Sequence, residues 1–255
     1  MLKLTKYVLY DILNNKIISA FALFLLLVSI TLFQLEENQS KAVMSLMTII
    51  LFVLPLVSMV FATIHYYNSY EFIELMLAQP ISRTKILVSE YLGVSLSLLS
   101  AFLVGVGIPV FIYSFNQIGF TVIFAGSILV FIFTSLAFLS SVLARDKARG
   151  IGLVLLVWLF FSLVYDGALM LLIFALSDYP IEKFTIALAS LNPIDLARIF
   201  IMLKMDISAL MGYTGAVYKK FFGGYFGSLY TVVILLIWAI VPFLISLRAF
   251  KRKDL

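Results

Sequence analysis

Cysteine is absent from this sequence, and histidine occurs once, at position 65. Without thiols there is no disulfide and no thiolate metal site, and one imidazole cannot join another to hold a metal ion. Charge is scarce too: Asp, Glu, Lys and Arg make up 12% of the residues, against about 25% in an ordinary soluble domain. No G-x-x-x-x-G-K-[ST] stretch exists to cradle nucleotide phosphates, and no G-x-S-x-G elbow presents a serine. Nothing supplies a nucleophile together with a base, so the chain is expected to be non-catalytic. His65, with no second histidine to join it, reads as a polar residue at a membrane interface rather than as a ligand.

What fills the sequence is apolar. Hydrophobic residues make up 64% of the 255, and the mean hydropathy is +1.14, which places the chain in a membrane. The apolar residues come in runs rather than in period-two alternation, so the expected fold class is all-α, with helical spans and no barrel strands. No cleavable leader is expected, because the first apolar run begins at Ile17 behind an amphipathic segment and no small-residue cleavage site follows it.

Six spans are expected, near 17–35, 43–65, 91–114, 120–143, 150–176 and 229–247, within a single permease-like domain covering 1–255. The first is uncharged and long enough to cross a hydrocarbon core of about 30 Å. Pro55 predicts a kink in the second. Residues 91–144 hold no Asp, Glu, Lys or Arg, and their only polar, turn-like break is Asn116-Gln117-Ile118-Gly119. Gly105-Val106-Gly107 sits inside a span and reads as a close helix contact. Asp166 is the one acid within the runs so drawn, at a depth of roughly 24 Å counted along the helix from Gly150. A hydrated acid at the outer mouth and a residue of a polar pathway are both open for it.

Residues 1–16 form an interfacial segment. Wound as a helix over 2–14, Lys3, Lys6, Tyr7, Tyr10, Asp11 and Asn14 share one side, and Leu2, Val8, Leu9, Ile12 and Leu13 the other. Basic residues on the polar side suit anionic head groups. The net charge of +5 therefore points to a membrane rather than to nucleic acid. With the N-terminus inside, twelve Lys and Arg fall on inner segments and only Lys41 on the two short outer loops. That bias places both termini in the cytoplasm, 66–90 as a cytoplasmic loop, and 177–228 outside.

In the loop, 69–79 reads as a short helix with Glu71, Glu74 and Ala78 on one face. Pro80 stops it, and Ser82 can cap the next helix. Glu74, Leu75, Pro80, Ile81, Ser82, Arg83 and Ile86, leading into a span, resemble the coupling-helix loop of ABC type-2 permeases. That family also has an N-terminal interfacial helix, six spans and a long outer segment between the last two. The resemblance implies that the loop docks on a separate cytoplasmic ATPase subunit through Glu71, Glu74 and Arg83.

The outer segment opens a helix at Asn192-Pro193, with Asn192 as N-cap, Pro193 at the first helical position and Asp195 in the first turn. On that helix Asp195, Arg198, Met202, Met205 and Asp206 fall together, while Leu196, Phe200 and Leu203 face away. Two thioethers beside two acids and an arginine allow either ordinary packing or a Cu(I) site at Met202 and Met205. Met211 lies too far along to join them unless the chain turns at Asp206. Residues 207–222, with Lys219 and Lys220, read as a re-entrant piece ending at Gly223-Gly224.

A closer resemblance runs through LNPIDLARI (191–199), KMDISALMGYTGAV (204–217), KYVLYDILNNKI (6–17), HYYNSYEFIELMLAQP (65–80) and RDKARGIG (145–152). These blocks resemble the permeases of bacterial ABC complexes that serve nitrous-oxide reductase maturation. The resemblance implies a homodimer in the inner membrane, flanked by two ATPase subunits and capped by a periplasmic copper-binding protein. Asp195, Arg198 and Asp206 would then be docking positions for that protein. No firmly bound cofactor is expected: ATP belongs to the partner, and copper passes transiently if at all. Two other readings stand beside this one: an ABC exporter of a lipid, drug or peptide, and a mechanical scaffold with no translocation path.

Overall fold

In hydrocarbon no water is present to satisfy backbone amides, so uninterrupted apolar runs close their hydrogen bonds within a helix. The computed structural model describes residues 2–36, 38–176, 182–205 and 224–252, and the regular elements among them are helices. They are α1 (Leu2–Leu13), α2 (Lys16–Leu35), α3 (Gln39–Asn68), α4 (Tyr70–Leu77) and α5 (Arg83–Phe102). A π turn, Leu103–Gly107, carries α5 into α6 (Ile108–Tyr113), and α7 (Gln117–Leu143) follows. A second π turn, Phe160–Val164, joins α8 (Lys147–Leu159) to α9 (Tyr165–Ala175). The chain ends in α10 (Glu182–Ser190), α11 (Pro193–Lys204) and α12 (Tyr225–Arg252).

Among the described residues six stretches are long and apolar enough to cross a membrane: Lys16–Leu35, Gln39–Asn68, Arg83–Tyr113, Gln117–Leu143, Lys147–Ala175 and Tyr225–Arg252. The expected number and order of spans are found. Asn116 makes the break between the third and fourth, its side chain accepting from the Gly119 amide at 2.9 Å. Asn15, Asn38 and Asp146 cap α2, α3 and α8 in the same way, each satisfying an amide that the helix leaves unpaired.

Two local features differ from the expectation. The third span begins at Arg83 rather than near 91, so Glu90 lies inside it and Asp166 is not the only acid carried by a span. A helix does not end at a charged residue that has a partner, and Glu90 has one. Ser82 occupies the position before α5, but its hydroxyl makes no capping bond. Its carbonyl accepts from Lys85 and Ile86 instead. Pro55 is buried within α3, which runs as one helix from Gln39 to Asn68.

The chain crosses six times, so α1, α4 and the last turn of α12 gather at one end of the bundle, the base. The helices α10 and α11 lie at the other end, the crown. At the centre stands α7, packed against α3, α5, α8, α11 and α12. Its sequence is apolar on most sides, as befits the span with the largest buried share of the six. The α8–α9 span is its opposite, with most side chains turned outward. Two glycines mark close approaches of the third span to α1 and α2. A Cβ on Gly93 of α5 would run into Val8 of α1, and one on Gly105 would meet Leu25 and the Ala22 carbonyl of α2. Gly105 is thus the close helix contact its sequence context suggested. Buried Val8 and Ile12 dock α1 on α5, while Lys3, Lys6, Tyr7, Tyr10, Asp11 and Asn14 remain exposed as the helical wheel predicts.

Candidate functional site

At the base, α4 is a two-turn helix held by little. Ile73 is its one buried residue, and Phe72 stacks on Tyr7 of α1 with ring centroids 5.9 Å apart. Pro80 and the turn at 78–80 end it, as the sequence predicts. Glu71, Glu74 and Leu75 are exposed. Leu75, a large apolar side chain 66% exposed, stands beside Glu74 at the end of the bundle. Glu74 and Arg83 line one open concavity of about 750 Å³ with Leu77, Ala78, Ile81 and Ser82. Glu71 is not in that lining. Arg83 Nη1 donates to the Lys251 carbonyl at 3.3 Å, which ties the mouth of the concavity to the end of α12.

Behind α4 lies a group that the sequence did not single out. His65 Nε2 is 2.9 Å from Glu90 Oε2 and 3.3 Å from Ser69 Oγ. The Glu90 side chain is 2% exposed. One proton lies between Nε2 and Oε2 and joins the two side chains. His65 is therefore the partner of a buried acid, not a lone interfacial residue. Two further ties leave the same helix end: Tyr67 donates its hydroxyl proton to the Ser141 carbonyl of α7 at 3.2 Å, and Lys147 Nζ of α8 donates to Asn68 Oδ1 at 2.9 Å.

At the crown, α11 begins as its sequence says it should. Asn192 Oδ1 accepts from the Ile194 amide at 3.0 Å, Pro193 opens the helix, and Asp195 stands in its first turn. Asn192 is fully buried, and its Nδ2 donates to the Phe161 carbonyl at 2.9 Å and to Asp195 Oδ2 at 2.8 Å. Phe161 lies in the π turn of the fifth span, where the regular i→i−4 ladder is interrupted. Arg198 Nη1 donates to Asp166 Oδ2 at 2.8 Å and lies 3.1 Å from Asp195 Oδ1. The second approach is an ion pair off the line of a hydrogen bond, so Oδ1 accepts none among the described residues. Burial pushes the Asp195 carboxyl up to about 6; Arg198 pulls it down, Asp166 pushes it further up, and the bond from Asn192 lowers it.

This geometry revises the expected polar face. The first two turns of α11 are buried on most sides, Asp195 and Leu196 alike. Asp195 is 6% exposed, with its carboxylate turned to Asn192 and Arg198, so it holds the helix in place rather than offering itself to a partner. Arg198 is partly exposed and pairs with Asp166 at the crown. Met205 is buried in the core and Met202 packs against it. Asp206 and Met211, Lys219 and Lys220, and the re-entrant piece at 207–222 lie outside the described residues.

No curated protein matches this chain. Residues 35–255 match the family described as ABC-2 family transporter protein, and that match takes in five of the six spans, α4, and both polar clusters. The missing phosphate-binding loop accords with a subunit whose ATPase is another chain, and family membership implies such an ABC ATPase partner. Six apolar helices, an exposed short helix at the base and this match together identify the chain as a member of the ABC-2 transporter family, a multi-pass membrane permease subunit of an ABC transporter.

Proposed function

We propose that this permease takes up the work of ATP hydrolysis on a cytoplasmic partner at its base and delivers it to its crown. The observation that carries this is α4. Its exposed Glu71, Glu74 and Leu75 project beside a concavity shared by Glu74 and Arg83, while Ile73, the partly buried Met76 and Leu77, and the Phe72–Tyr7 stack hold it to the bundle. Twelve Lys and Arg assigned to the base support its lying in the cytoplasm of a bacterial inner membrane. Charge reversal tests the reading. Glu71→Lys with Glu74→Lys is expected to abolish co-purification of the ATPase encoded beside this chain while the spans still insert. Undiminished co-purification would return α4 to an ordinary connecting loop.

The finer reading concerns the crown. The blocks that resemble NosY, the permease of the NosDFY complex, support a homodimer whose crown serves a periplasmic copper-binding protein during nitrous-oxide reductase maturation. Transport and the transmission of motion are both compatible with it. With Asp195 buried, Arg198 is the docking position on α11 that retains exposure. Copper handling at Met202 and Met205 is tested by Met202→Leu with Met205→Leu. Lower copper loading of the reductase supports it, and unchanged loading assigns both residues to packing. An exporter of an apolar substrate is favoured by one feature, a crevice of about 250 Å³ walled by apolar and aromatic side chains of α5, α7 and α12, Tyr91 and Phe243 among them. Genes for a copper protein and a reductase beside this one would decide against it.

A further inference from the structure

We infer that His65, Glu90 and Ser69 form a polar strut that carries displacement of the docking helix into the third span. They act as positioning residues and not as docking residues. This rests on the coupling function proposed above and specifies how it is wired.

A helix of eight residues with one buried side chain is a poor lever. Pushed at Glu71 or Glu74, it can tilt without moving the bundle unless a stiff tie joins it to a span. The chain itself supplies none on its far side, where 78–82 is turn and extended backbone. On the near side, Ser69 both closes α3 and opens α4. Its hydroxyl makes no cap to α4 and instead lies 3.3 Å from His65 Nε2, one turn back. The same nitrogen lies 2.9 Å from Glu90, about two turns into α5. The corner between α3 and α4 is thereby fastened directly to the third span, bypassing the intervening loop.

Glu90 makes the fastening stiff. Its side chain is 2% exposed, against 13% for His65, and drawing the imidazole away would leave a charge inside the bundle without a partner. The two must therefore travel together. The third span then continues through the Leu103–Gly107 π turn to Tyr113 near the crown. Tyr67 and Asn68 tie the same corner to α7 and α8. The end of α3 is thus a node from which three spans can be drawn, and His65–Glu90 is its arm to the third.

The absence of cysteine permits a clean test. Gln79→Cys in the turn after α4 and Phe115→Cys beyond the third span, both exposed sites, are spin-labelled in the permease–ATPase complex in lipid nanodiscs. Their separation is measured with and without ATP. The wild-type background is expected to show an ATP-dependent shift. His65→Leu with Glu90→Leu removes the strut without stranding a charge, and is expected to keep the ATPase bound but lose the shift. The exchanged pair, His65→Glu with Glu90→His, restores the tie and is expected to restore the shift. A full shift in the double-leucine complex overturns the strut, since a merely structural pair replaced by leucines would leave it intact. Should the double-leucine chain fail to insert, Ser69→Ala is read in the same way: a reduced shift supports the strut and an unchanged one overturns it. Failure of the wild-type chain to bind the ATPase sinks the coupling function itself, which separates the two claims.

Discussion

The base and the crown solve the same problem with different charge balances. Each carries a buried acid where the surroundings are apolar. At the base one carboxyl, Glu90, meets one imidazole. At the crown two carboxylates, Asp166 and Asp195, share the single guanidinium of Arg198. The crown cluster is therefore one negative charge in excess whenever both acids are ionised.

The largest expected effect comes from removing the shared cation. Arg198→Leu strands two carboxylates, one of them buried; because Arg198 is 28% and Asp166 36% exposed, solvent screens part of the about 3–5 kcal/mol that a fully buried pair costs to break. The melting temperature in detergent should fall markedly, with α11 the first helix to exchange its amides. Glu90→Ala at the base strands no acid and leaves one polar group without its partner, so its cost should be smaller, about 1–3 kcal/mol. Equal losses from the two variants would remove the contrast between the ends.

Next in size is pH. Asp195 rises from its ordinary 3.8 to about 6, with burial the leading cause. An acid whose folded value lies above its unfolded one binds its proton more tightly in the fold. Its contribution is fully present below about pH 4 and is lost as pH climbs through about 6. At about 1.36 kcal/mol per unit this amounts to roughly 3 kcal/mol. Thermal melts across that window should show the decline, and Asp195→Asn should flatten it. A decline that survives Asp195→Asn would place the titrating group elsewhere.

A smaller effect separates the interfacial helix from both clusters. Gly93→Val would force its side chain against Val8 of α1, an overpacking worth about 1–3 kcal/mol. The expected result is protease-sensitive α1 with the spans intact, and a weaker hold on α4 through the Tyr7–Phe72 stack.

Much of this architecture was legible in the residues. Runs without charge gave six spans, Asn116 gave the one break within a charge-free stretch, and Asn192-Pro193 gave the start of α11, because each rests on local chemistry. What escaped was contact at long range. A span boundary drawn at the last charged residue put Glu90 in a loop, since nothing local tells that an imidazole 25 residues earlier stands ready to meet it. A helical wheel gathered Asp195 and Arg198 on one face but could not tell a face turned to water from one turned to Asn192 and Asp166. The π turn at Phe160–Val164 has no sequence mark, although its Phe161 carbonyl is what receives Asn192. The lone acid in the fifth span and the arginine of α11 were a usable hint, for both lay near the same membrane boundary.

The most direct measurement is amide hydrogen exchange of the permease–ATPase complex in nanodiscs, with and without ATP, read over α4 and over Ala189–Lys204. Transmission from base to crown requires ATP to change exchange at both ends, with the change at the crown lost when His65 and Glu90 are both leucine. A change confined to α4 in the wild-type complex would contradict it.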